Sequence, residues 1–266
     1  MKKKRIIPVV LFRDGYVVQT RGFASHKRLG LLGPTLRRVE EWGAEEIVVL
    51  NITPEGSPSE QSFGRTDVSD EFEFDFRRTV EKHAGISSVP LTVGGGIRDF
   101  DQAASYFAVG ADKILLNTGF HINKSLGRDL AKSFGSQAVV LGVDYTNKEN
   151  CREVVLASAT KPTGLRVSEV LKMATNSGVG EFFLNSIDRD GKKQGLDLEV
   201  SEDIGEISAP LIVCGGVGTA MDIVDGLAAD QIDGVAAANF FQHVENSVQL
   251  AREAALLEGI FVRRVN

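Results

Sequence analysis

Short runs of aliphatic and β-branched residues recur along the chain, separated by longer amphipathic stretches. The runs are Ile6–Leu11, Ile47–Ile52, Leu91–Val93, Lys113–Leu116, Ala138–Val143, Phe182–Asn185, Leu211–Val213 and Gly234–Ala237. Runs that are largely apolar on both faces suit strands of a parallel sheet covered on both sides, and the helix-like stretch after each completes a βα unit. Eight such units predict a fold of the α/β class, a closed (β/α)8 barrel, for which about 250 residues is typical; this chain has 266. No Pro/Ser-rich linker or break in composition interrupts the series, so residues 1–266 read as one barrel domain.

The pattern also repeats. The segment Glu46 to Gly56 resembles Glu181 to Gly191, and Val93-Gly-Gly-Gly-Ile97 echoes Val213-Cys-Gly-Gly-Val217. A duplicated half-barrel would leave this layout. The second pair of landmarks lies closer together than the first, which places extra residues in the first half, and the polar run Pro54 to Asp70 is where they fit. Because that run follows a strand, it reads as a long loop on the C-terminal face, the face that carries active sites in barrels.

Charge and cysteine content narrow the function classes. The formal net charge of −6 gives no general reason to bind nucleic acid or an anionic membrane, so a phosphate ligand needs a local site. Cys151 and Cys214 are too few for a disulfide framework and match no zinc spacing, which fits a reducing cytoplasm. The apolar run after the basic N-terminus is broken by Pro8 and ends at Arg13-Asp14-Gly15, too short for a signal peptide, and no stretch approaches a membrane span of roughly 20 residues. His26, His83, His121 and His243 form no ligand set, so surface or helix-packing roles are expected and no metal or cofactor is. Cys214 reads as a small buried residue rather than a nucleophile.

Two glycine clusters, Gly94-Gly95-Gly96 and Gly215-Gly216, directly follow apolar strands. Without side chains there, backbone N–H groups can approach an anion, although a tight βα turn would use the same residues. Their pseudo-symmetric placement favours a ligand with a phosphate at each end.

Here the residues carry a family resemblance. Arg5-Ile-Ile-Pro8, Val93-Gly-Gly-Gly-Ile97, Gly110-Ala-Asp-Lys113, Phe134-Gly-Ser-Gln-Ala138 and Ser186-Ile-Asp-Arg-Asp-Gly191 look like the signature segments of the cyclase subunit of imidazole glycerol phosphate synthase, across nearly the whole chain. The resemblance implies a barrel that receives ammonia from a glutaminase subunit docked at its N-terminal face and uses it at the C-terminal face on a bisphosphorylated substrate. It implies a charged gate at Arg5, Glu46, Lys113 and Glu181, and a partner contact at Asp112. It further implies a ligand-facing set of Gly95, Gly96, Asn117, Thr118, Asn185, Asp188, Asp190, Gly215, Gly216 and Asn239.

The family's chemistry rests on two aspartates, at the ends of the first and fifth strands, acting as general acid and base. Asp144 supplies the second, but the first strand ends in Leu11, which cannot carry a proton. The family's loop lysine appears as Gln19, its second-strand aspartate as Asn51 and its sixth-strand threonine as Asn185. A branch of relatives encoded with sugar-amidation systems of bacterial surface polysaccharides shows the same leucine. That similarity implies a barrel relaying ammonia from its glutaminase to an ATP-dependent sugar amidotransferase, which converts an acetamido to an acetamidino group. The alternatives are a working cyclase, with Asp14 or Asp188 as the second acid, and a scaffold that binds partners without conducting anything.

Overall fold

The computed structural model describes residues 2–54, 75–148, 151–205 and 207–264. Of the expected loop from Pro54 to Asp70, only Pro54 lies within them.

Eight parallel strands close into a barrel, in the order expected. In chain order the elements are β1 (Arg5–Arg13), β2 (Tyr16–Arg21), β3 (Ser25–Gly30), α1 (Leu32–Glu41), β4 (Ile47–Asn51), α2 (Phe76–Ala84), β5 (Leu91–Gly94), α3 (Phe100–Ala108), β6 (Lys113–Leu116), α4 (Thr118–Ile122) and α5 (Leu126–Phe134). The second half contains β7 (Val139–Lys148), β8 (Cys151–Leu156), β9 (Lys161–Arg166), α6 (Val167–Thr175), β10 (Glu181–Ser186), α7 (Val200–Asp203), β11 (Leu211–Cys214), α8 (Ala220–Ala228), β12 (Gly234–Ala237), α9 (Phe240–His243) and α10 (Ser247–Leu257). The barrel strands are β1, β4, β5, β6, β7, β10, β11 and β12. Parallel pairing of β12 with β1 (Arg5 opposite Gly234) and of β6 with β7 (Ile114 opposite Val139) joins the two halves.

Two antiparallel hairpins, β2–β3 and β8–β9, are additions that the hydrophobic pattern does not announce. Each grows from an overlong barrel strand, β1 or β7, that continues past the barrel rim. They occupy matching places in the two halves, so the repeat seen in the sequence extends to them.

Strand alternation sorts the core into two layers. Ile6, Val10 and Phe12 of β1 pack outward under the helices, with Ile47, Val49, Ile114 and Leu141. Ile7, Val9 and Leu11 pack inward with Val48, Leu115, Val140, Phe183, Ile212 and Ala236, filling the lumen. The helices start where polar side chains take up their free N–H groups. Asp75 accepts from Arg78 N at 3.0 Å, Asp99 accepts from Gln102 N at 2.8 Å, and Thr219 forms a capping box with Asp222.

Candidate functional site

The period of two that fills the lumen also decides what stands at its ends. Going down from the middle layer, the inward positions at the strand starts are Arg5, Glu46, Lys113 and Glu181. Going up, they are Leu11, Leu50, Asn117, Asp144, Asn185 and Cys214.

At the bottom, the four gate residues named by the resemblance come together in a closed ring. Arg5 donates to Glu46 at 2.9 Å and to Glu181, while Lys113 donates to Glu46 at 2.7 Å and to Glu181 at 2.9 Å. The carboxylates are buried and the cations about one-fifth exposed. Burial alone would raise the Glu46 carboxyl; Lys113 and Arg5 outweigh it and hold it below the usual range. Burial likewise opposes the charge on Arg5, and Glu181 and Glu46 raise it regardless. Asp112, exposed on the same face, has a structural use: its Oδ2 accepts from Leu91 N at 2.8 Å. Asp233 repeats this bond in the second half, accepting from Leu211 N at 2.9 Å.

At the top, the mouth is split by polarity. Asp144 stands opposite Asn185 in register, and accepts from Asn185 Nδ2 at 2.9 Å and Asn117 Nδ2 at 2.7 Å. Burial lifts its carboxyl to about 6 against the pull of those two amides, with Asp190 adding to the rise. The matching register pair in the first half is Leu11 opposite Leu50, and Leu11 is 9% exposed among Val9, Val18 and Leu50. One side of the mouth is therefore a hydrogen-bonded carboxylate, the other a hydrocarbon wall. Cys214 lies on the inward side of β11, its thiol pushed up by burial and by Asp190 and Asp144, which makes it inert as a nucleophile.

The other carboxylates near the mouth are engaged elsewhere. Asp14 forms the tip of the β1–β2 turn with φ of +48°, where its N–H donates to Thr53 at 2.9 Å and its Oδ2 pairs with Arg13 at 3.3 Å. Asp188 Oδ2 accepts from Asn147 N at 2.6 Å. Asp190 spends both oxygens on the β2–β3 hairpin, accepting from Thr20 Oγ1 at 3.1 Å and Phe23 N at 3.2 Å. Burial raises its carboxyl and those hydrogen bonds restrain the rise.

Each hairpin is tied down on residues expected to face a ligand. Asn239 Nδ2 donates to Thr20 O at 2.9 Å, and Gln19, standing where the family has its loop lysine, bonds His243 at 2.9 Å. In the other half, Ala157 N donates to Thr118 Oγ1 at 3.1 Å. The β8–β9 hairpin is further clamped by Arg152, which grips Asp197 through two 2.9 Å bonds and also reaches Glu199 and Asp203. Tyr145, adjacent to Asp144, donates its hydroxyl to the same Asp197 at 3.2 Å. Sequence reading missed this clamp, since its partners are 45 residues apart. His26, expected at the surface or packed on a helix, lies on β3 against Arg13 within the electrostatic reach of Asp190 and Asp14.

The glycine clusters have the geometry of close backbone approach. Gly95 and Gly215 have φ of +100° and +99°, and a Cβ on either would lie 1.9 Å from Asn51 O or 2.5 Å from Ser186 O. Gly96 and Gly216, at φ of +69° and +102°, also need the left-handed region. Among the described residues no group of His, Cys, Asp and Glu is placed to hold a metal ion, and no helix is long and apolar enough to cross a membrane.

Comparison with known proteins agrees with the barrel fold. Residues 5–247 match the family model described as "Histidine biosynthesis protein". Over 266 aligned residues, covering 99% of this chain and the whole of the relative, the chain is 34% identical to imidazole glycerol phosphate synthase subunit HisF of Alkaliphilus metalliredigens. It is 34% identical, over the same extent, to the subunit of that name from Anoxybacillus flavithermus.

Proposed function

Because this chain belongs to the histidine biosynthesis protein family, we propose that it is a barrel subunit of a glutamine-dependent amidation complex that relays ammonia and no longer performs the ring closure of its relatives. The observation that carries this reading is the Leu11–Leu50 pair at the place that mirrors Asp144–Asn185. Acid–base catalysis on two sides of a substrate needs two proton carriers, and removing one typically lowers the rate by about 10²–10⁴. Among the described residues no other carboxylate takes over: Asp14 is turned onto Arg13 and Asp188 onto the backbone of Asn147 in β7, while Asp190 holds the β2–β3 hairpin.

The ring at the opposite end supports the relay half of the reading. A glutaminase docked over Arg5, Glu46, Lys113 and Glu181 would deliver ammonia to an apolar column, which admits neutral NH₃ far more readily than the ammonium ion. Leu115 and Phe183 fill that column, so passage requires side-chain movement. The acceptor is an ATP-dependent amidotransferase acting on an acetamido sugar of a surface polysaccharide, and the complex works in the cytoplasm.

The full-length similarity to synthase subunits favours one other reading, a working cyclase. One reconstitution separates the two. The chain is combined with a glutaminase subunit, glutamine, a sugar amidotransferase with its ATP and acetamido acceptor, the histidine-pathway substrate and an external enzymatic ammonia trap. The relay predicts stimulated glutamine hydrolysis, ammonia withheld from the trap, and no cyclised product. Cyclised product at an enzyme-like rate overturns it, and ammonia fully captured by the trap favours a non-conducting scaffold.

A further inference from the structure

Three chain segments converge beside the second glycine cluster: the tip of the β2–β3 hairpin, the loop after β10 and the loop after β11. Only glycine permits the convergence. A Cβ on Gly191 would lie 2.5 Å from Thr20 O and 2.9 Å from Arg21 Cα; on Gly216, 2.1 Å from Gly195 O and 3.0 Å from Arg189 Cβ; on Gly218, 2.6 Å from Lys193 Cβ. Arg189 stiffens the rim by donating to the carbonyls of Gln194 and Gly195 at 3.2 and 3.1 Å.

This packing gathers Arg21, Lys192 and Lys193 at one rim, all three exposed. Among the described residues none of them makes an ion pair, whereas Arg13, Arg152 and Lys148 on the same face all do. In a chain of net charge −6, three unpaired cations at one rim do not follow from composition. The neighbouring carboxylates are committed: Asp190 to the hairpin, Asp188 to Asn147, and Asp222 to the N–H groups of Gly218 and Thr219 at 2.8 Å each. Because Asp222 already occupies the start of α8, that helix end is closed to an anion, which is left to the glycine backbone and the cationic rim.

A second feature points to what accompanies the anion. Asn239 is 7% exposed; its Nδ2 is fixed on Thr20 O, and its buried Oδ1 has no partner among the described residues. An amide oxygen cannot bind a phosphate oxygen, but it accepts from a hydroxyl.

We propose that this rim takes a diphosphate group bearing a hydroxylated substituent, as in a nucleoside diphosphate or its sugar ester, rather than a single phosphate. The proposal rests on the reading that the mouth keeps an anion-binding face. A phosphate monoester brings at most about two negative charges, fewer than the rim can neutralise, and is too compact to engage cations presented from two segments. A diphosphate matches both the charge and the spread.

Calorimetric titration of the full chain at low ionic strength, with inorganic phosphate and with pyrophosphate, tests this. Pyrophosphate is expected to bind at least about tenfold more tightly, and Arg21→Ala and Lys193→Ala each to weaken pyrophosphate about tenfold with little effect on phosphate, the scale of one lost charge-assisted hydrogen bond. Lys193→Arg should retain binding, and Lys161→Ala on the other hairpin should leave it unchanged; melting curves confirm that each variant is folded. Phosphate binding with no preference for pyrophosphate overturns the diphosphate assignment while leaving the anion face intact. Binding of neither overturns both, and a pyrophosphate preference indifferent to Arg21 and Lys193 overturns the placement.

Discussion

Asp144 shows how much a single position depends on its neighbours. Its carboxyl lies near 6 because burial outweighs two amide donors, so removing a donor should raise it further. Asn185→Ala and Asn117→Ala are each expected to shift the midpoint upward in a ¹³C carboxyl titration; an unchanged midpoint would mean that the amides do not bind the charged form. The sign for stability follows. An acid whose folded-state value exceeds its unfolded value favours the folded state while protonated, so this contribution is present below about pH 4 and is lost as the pH rises through about 6. The loss is about 2–3 kcal/mol, measured as the change in denaturation midpoint of the native chain relative to Asp144→Asn. Leu11 is the opposite case. Leu11→Asp would bury a carboxylate against Val9, Val18 and Leu50, and is expected to lower stability by about 2–4 kcal/mol.

The elements differ in how plainly the chain announces them. All eight barrel strands were legible because a strand covered on both faces must be apolar on both, and the runs of β1, β4 and β10 are. The hairpins were not, because β3 (Ser-His-Lys-Arg-Leu-Gly) and β9 (Lys-Pro-Thr-Gly-Leu-Arg) carry mostly exposed polar residues. They are held by specific bonds rather than by burial, and pairwise bonds between distant positions leave no periodic trace. That Arg5, Glu46, Lys113 and Glu181 stand together and that Asp144 faces the mouth was legible through resemblance, whereas the occupation of Asp190 and Thr118 by hairpin backbone was not. Held by few bonds, the β2–β3 hairpin should open locally. Asp190→Ala, which removes the acceptor for Thr20 and Phe23, is expected to speed tryptic cleavage at Arg21, Lys27 or Arg28 several-fold without a comparable change in melting temperature. The other hairpin has a stronger tether. Arg152→Ala leaves Asp197, 3% exposed and held below the usual carboxylate range by Arg152 against its own burial, without its cation. A loss of about 3–5 kcal/mol is expected, read as a fall in melting temperature.

At the scale of the whole molecule, each barrel end is organised by one alternation. Inward positions carry charge at the bottom, hydrocarbon in the middle, and a divided surface at the top. The bottom ring is a network in which each member has two partners, so its loss cannot stay local. Lys113→Ala would leave Glu46 and Glu181 buried with Arg5 alone between them, and is expected to destabilise the barrel by about 3–5 kcal/mol. Lys113→Ala combined with Glu181→Gln should recover part of that cost, which a double-mutant comparison of melting temperatures would reveal.

The collar of two acids and two bases is electrically balanced, so it exerts no net pull on ions of either sign from the surrounding solution. In the relay proposed above, such a balanced stopper beneath the greasy column would discriminate by hydration rather than by attraction: a solute would have to shed its water to enter, and a species carrying no charge would do so at the least expense.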